Sequence, residues 1–118
     1  MEKSKFIKGA DFDGEGLTLE FVKMEVFTPT DPQYGVANTY GAGAKLVKEN
    51  YFVKNGKLKE GESFKYFFKD EEKEREFDNN SVRFFFAYEK AKLVGGEKVA
   101  IKRNKKSNTD VEWTITRV

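Results

Sequence analysis

The 118-residue chain contains no cysteine and no histidine, which removes thiolate nucleophiles, imidazole bases, disulfides and the usual zinc ligand sets. The chemistry left to it belongs to carboxylates, cations and rings. Asp11, Asp13 and Glu15 stand at positions one, three and five of a segment with Gly16 at six, the opening of a calcium loop. Position twelve, however, is Val22 where a bidentate Glu is needed, and a strand pattern follows in place of a helix. A second acidic group, Asp70, Glu71, Glu72, Glu74 and Glu76, is relieved only by Lys73 and Arg75. Carboxylates in solvated runs keep ordinary pKa values, so none is held protonated for acid catalysis. Residues 41–45, Gly-Ala-Gly-Ala-Lys, lack the glycine spacing and the following Ser or Thr of a phosphate loop. Neither catalysis nor a cofactor or metal is expected.

Cations and rings are more informative. Single-stranded nucleic acid needs ammonium or guanidinium groups against phosphates and ring faces on which bases stack, each stack contributing about 1–3 kcal/mol. Lys98, Lys102, Arg103, Lys105 and Lys106 carry five positive charges with no acid between them. Their alternative role is to solubilise a hairpin tip and protect a strand edge. Lys65, Phe67 and Lys69 alternate with Phe64, Tyr66 and Phe68, so one strand presents a ring between two cations on the face away from the core. Tyr34 and Tyr40 lie in a glycine-rich stretch, and Tyr51 adjoins Phe52 so that a strand would expose one of the pair. These three tyrosines serve equally as stacking platforms or as anchors for a long loop. Trp113 alternates with Val111 and Ile115 and belongs to the core.

The elements that must position these groups are mostly strands. Aromatic residues make up 15% of the chain, too many for a disordered segment. Residues 1–15 read as a lead-in arm. Leu17 to Phe27 alternates apolar and polar, with a one-residue slip near Phe21 and Val22 that a β-bulge would absorb. Pro29 and Pro32 end it, and residues 28–61 form a long connection. Within this connection residues 46–54 are the best strand candidate, followed by Asn55-Gly56 as a hairpin turn. Strands are expected over 62–69 and 74–78, and a helix over 82–93 with Asp78, Asn79 or Asn80 as N-cap and Gly95-Gly96 as its stop. Two last strands span 98–103 and 110–118.

This order, with one domain over residues 1–118, resembles the oligonucleotide/oligosaccharide-binding fold (OB-fold), a five-stranded Greek-key β-barrel with a helix between its third and fourth strands. The likeness covers residues 16–118 and rests on topology and the long bulged first strand. In size the chain looks like the small single-stranded-DNA-binding proteins of phages and other viruses, which act in DNA replication. Several of those end in an acidic tail, whereas this sequence ends Trp113-Thr114-Ile115-Thr116-Arg117-Val118. The resemblance implies a ligand across the second and third strands, framed by the loops between strands one and two and strands four and five.

The expected function is therefore binding of single-stranded nucleic acid, DNA before RNA and with little sequence preference. Lys65, Lys69, Lys102, Arg103, Lys105 and Lys106 would hold the backbone, while Phe67 with Tyr34, Tyr40 or Tyr51 would stack bases. The alternative is a protein-interaction or assembly module with no nucleic-acid ligand. A homodimer is compatible with either through exposed sheet edges. A net charge of only +2 requires any such interface to be local. No apolar run approaches a membrane span and no apolar segment follows Lys3, Lys5 and Lys8, so an intracellular, cytoplasmic setting is expected.

Overall fold

A computed structural model describes residues 5–30, 51–71, 73–107 and 110–118. The protein is mainly β. Five antiparallel strands, β1 (Leu17–Phe27), β2 (Ser63–Asp70), β3 (Lys73–Asp78), β4 (Lys98–Lys105) and β5 (Val111–Arg117), form one sheet in the order β3-β2-β1-β4-β5. The helix α2 (Val82–Ala91) lies between β3 and β4 in sequence, and a short helical turn α1 (Tyr51–Lys54) precedes β2. No ladder joins β3 to β5 among the described residues, so the sheet is open.

The strand β1 organises the sheet because its two halves serve different partners. Leu17 to Glu20 pair with β4, and the stretch from Glu20 to Phe27 pairs with β2. The register with β2 shifts between Phe21 and Lys23, which is the bulge expected from the slip in alternation. Phe21, Met24 and Val26 consequently share one face with Phe68, Tyr66 and Phe64, their cross-strand partners. Leu19, Val99, Ile101 and Trp113 continue this face across β4 and β5.

Helix α2 covers that face with Phe84, Phe85 and Tyr88. Phe84 meets Tyr66, Phe77 and Trp113 edge-on, at ring separations of 4.7, 5.1 and 4.9 Å, while Phe85 stacks on Phe64 at 5.1 Å. The N-cap is Ser81, whose Oγ accepts from the Phe84 N–H, instead of Asp78, Asn79 or Asn80. The two asparagines have other tasks: Asn79 Oδ1 accepts from the Ser81 N–H and Asn80 Oδ1 from the Phe64 N–H and Ser63 Oγ, tying the helix start to β2. The helix stops at Lys92, which takes a left-handed conformation (φ 51°) ahead of the expected Gly95-Gly96.

Two further expectations need correction. Residues 51–54 are helical, and Asn55-Gly56 closes that turn in place of a hairpin: Gly56 has φ 69°, its N–H donates to Val53 O and the Lys57 N–H to Phe52 O. This is a Schellman cap, which asks for the same left-handed glycine that a hairpin turn would use. The helical turn also lets Phe52 enter the core fully while Tyr51 stays at the surface, whereas a strand would have split the pair across a sheet. Residues 46–50 lie outside the described residues.

The segment before β1 is not a free arm. Glu76 bridges Lys5 and Ile7, its N–H donating to Lys5 O and its carbonyl oxygen accepting from the Ile7 N–H, each 2.8 Å, so that the chain runs parallel along β3. A 3-10 turn, Gly9–Phe12, then inserts Phe12, fully buried, edge-on to Phe77 of β3 at 5.0 Å and to Trp113 of β5 at 5.5 Å. Asp13 ends the segment with a bidentate pair to Arg103. The N-terminal segment thus fills the space between the two edge strands.

Candidate functional site

The face of the sheet opposite α2 carries the ring and cation pattern. Alternation on β2 turns Lys65, Phe67 and Lys69 away from the core, and the register sets Lys23 opposite Phe67, Glu25 opposite Lys65 and Glu20 opposite Lys69. Phe67 is half-buried, with the Lys23 ammonium 4.9 Å and the Lys65 ammonium 6.0 Å from its ring centre. Lys65 also lies 4.3 Å over the ring of Phe27. Glu20, opposite Lys69, is in turn opposite Lys98 of β4. Beyond this row, Thr18, Ala100 and Thr116 are aligned as small residues, and Lys102 stands opposite Thr114. Rings and ammonium groups therefore run obliquely across three strands, β2, β1 and β4, from Phe27 and Phe67 to Lys102.

The same face holds acids, and their environments differ. Glu76, opposite Phe67, has a side chain only 8% exposed, gripped by Lys5 and Lys65 at 2.7 Å each. Burial pushes its carboxyl pKa up, but the hydrogen bonds from the two lysines outweigh this and hold it below the ordinary value. Burial raises the Asp78 pKa, against the partial relief of Lys65 3.9 Å away. Glu25 pairs with Lys23 at 2.8 Å. Glu20, Glu74 and Glu112 complete the acids turned to this side.

The basic run near the chain's end divides. Lys98 and Lys102 lie on the ring-bearing face and are exposed. Arg103 turns to the other face, where it pairs with Asp13 through Nε at 2.7 Å and Nη2 at 2.9 Å and lies 5.9 Å from the Trp113 ring. This pair holds the Asp13 pKa down and the Arg103 pKa up. Lys105, opposite Val111, is exposed, and Lys106 donates its backbone N–H to Asp110 O at the hairpin tip. Lys69, Lys98, Lys102, Lys105 and Lys106 have no ion-pair partner among the described residues.

Of the tyrosines, Tyr51 is exposed and packs edge-on against Phe52 and Phe86, away from Phe67 and beside α2. Tyr34 and Tyr40 lie outside the described residues. Sequence reasoning missed Lys23 and Phe27, whose alternation with Val22, Met24 and Val26 already placed them on the outer side of β1. Among the described residues no group of three or more acids could hold a metal ion. No described helix is long and apolar enough to cross a membrane. No protein-family model, curated protein or solved structure matches the chain. The reading of this face therefore rests on its own geometry.

Proposed function

We propose that the chain binds single-stranded nucleic acid, DNA in preference to RNA and without sequence selection, across the outer face of β2, β1 and β4. The carrying observation is Phe67, a half-buried ring between the Lys23 and Lys65 ammonium groups, continued by Lys69, Lys98 and Lys102. Bases stack on Phe67 and Phe27, and Lys69, Lys98 and Lys102 follow the phosphates. Lys65 acts chiefly by orienting the rings and neutralising Glu76, and Arg103 by tying the N-terminal segment down. Lys105 and Lys106 reach the strand as it leaves the sheet at the hairpin tip.

The strand order supports a barrel of OB-fold type. A bulged first strand shared by two halves, a helix after the third strand and Phe12 set between β3 and β5 fit such a barrel, with the N-terminal segment filling its seam. Such barrels take ligand on the second and third strands, but β3 turns Glu74, Glu76 and Asp78 to this side, so the proposed path runs over β2, β1 and β4 instead.

Phosphate contacts release counterions, so affinity for a dye-labelled oligothymidine must fall steeply between about 50 and about 200 mM salt. Phe67→Ala weakens binding by about 1–3 kcal/mol with no change in the salt slope, while Lys98→Ala with Lys102→Ala reduces the slope. Absence of binding at the lower salt refutes the proposal. A second reading, an assembly module without nucleic acid, is favoured by the exposed apolar side chains of Val26 and Phe86 at 45% and 49%. Binding with little salt dependence, or to protein alone, would select it.

A further inference from the structure

Among the described residues, the second half of β1 has one unpaired edge. Its pairing with β4 ends at Glu20, and the last backbone bonds on that side are from the Phe21 N–H to Glu97 O and from the Gly96 N–H to Phe21 O. Gly95 lies close against the Val22 carbonyl, and from Lys23 to Phe27 no described residue pairs with the edge opposite β2. A bare strand edge is a template for another strand. Beside it lies an apolar groove of about 420 Å³, lined by Met24, Val26, Phe64, Phe85 and Tyr88 and rimmed by Lys57 and Glu89.

We propose that a second copy of this chain occupies this edge, its own β1 antiparallel to the first and Met24 opposite Met24 about a two-fold axis. The order Val22-Lys23-Met24-Glu25-Val26 is complementary to itself when reversed. In this register Lys23 faces Glu25 of the other copy and Glu25 faces its Lys23, on the outer side. Val22 faces Val26 on the groove side, where the exposed valine of each copy is covered. A two-fold axis normal to the sheet brings only residues of equal parity opposite each other, so the next registers centre on Lys23 or Glu25. Both set like charges face to face, which is destabilising. The interface is isologous, as closed dimers require, and it brings two ring-bearing faces onto one continuous surface. The pairing itself does not depend on nucleic-acid binding.

Because the chain has no cysteine, Met24→Cys provides a clean probe. Residues directly opposite in an antiparallel pair have Cα atoms about 4.5–5.5 Å apart, within disulfide reach. The full chain should sediment at twice its 13.6 kDa, and Met24→Cys should form a covalent dimer under mild oxidation much faster than Glu25→Cys. Glu25→Lys, which sets Lys23 against a lysine, should weaken self-association at least tenfold, and the swap Lys23→Glu with Glu25→Lys should restore it. Circular dichroism checks that each variant is folded. A monomeric wild type, a dimer indifferent to Glu25→Lys, or equal crosslinking at both positions would overturn the proposal, whether or not oligothymidine binds.

Discussion

Glu76 shows how one side chain is set by competing effects. Facing Phe67 from β3, it would be a repulsive charge on a phosphate-binding face, yet Lys5 and Lys65 both grip it and leave little of it exposed to water. Its folded pKa lies below the ordinary 4.5, so its contribution to stability is complete above that value and is lost as pH falls through the folded pKa. Thermal melts should therefore be flat from neutral pH down to about pH 5 and fall below about pH 4.5. Glu76→Gln should lower stability at neutral pH by about 1–2 kcal/mol and shrink the acid-induced loss. An unchanged acid limb in the variant would mean that other carboxylates carry the effect. Tyr66 stands at the other extreme: its hydroxyl is sealed in the core without a hydrogen-bond partner among the described residues, and burial pushes its pKa up.

The N-terminal segment is the element that changes the meaning of the sheet. It runs along β3, buries Phe12 against Phe77 and Trp113, and is anchored to β4 by the Asp13–Arg103 pair. Gly16 makes the entry to β1 possible, because its φ of 75° favours glycine and a Cβ there would meet the Ile101 carbonyl oxygen. Phe12→Ala should cost about 3–5 kcal/mol, the range for losing a buried aromatic ring, read as a shift in the urea midpoint. A cost below about 1 kcal/mol would show that the ring is dispensable to the fold.

None of this was legible in the sequence, where Phe12 is a lone ring among glycines and charges with no period to mark it as core. Periodicity revealed β1 with its bulge, the outward turn of Phe67 and the buried position of Trp113, because each depends on alternation along one strand. It misread Asn55-Gly56, since a helix cap and a hairpin turn both call for a left-handed glycine. The long-range partners of Lys65 and Arg103 were equally hidden. Glu76 and Asp13 are set beside them by strand register and by the path of the N-terminal segment, which local patterns do not encode.

At the scale of the whole molecule, the near balance of charge becomes informative. A net charge of +2 conceals an uneven distribution. Several acids are held in ion pairs, while on the outer face and hairpin tip Lys69, Lys98, Lys102, Lys105 and Lys106 have no ion-pair partner among the described residues. The proposed binding of a polyanion would thus be local to the outer face and the hairpin tip, and so weak, salt-sensitive and sequence-tolerant. Dimerisation through β1 would double that surface and strengthen binding of longer strands through effective concentration.

The most direct measurement is residue-resolved: amide chemical shifts of the isotopically labelled chain, followed by NMR while oligothymidine is added at low salt. The account predicts perturbations at Lys23, Phe27, Phe67, Lys69, Lys98 and Lys102, tapering toward Lys106, with Phe84, Phe85 and Tyr88 on the opposite side unmoved. Shifts clustered around α2 and the apolar groove, or no shifts at all, would contradict it.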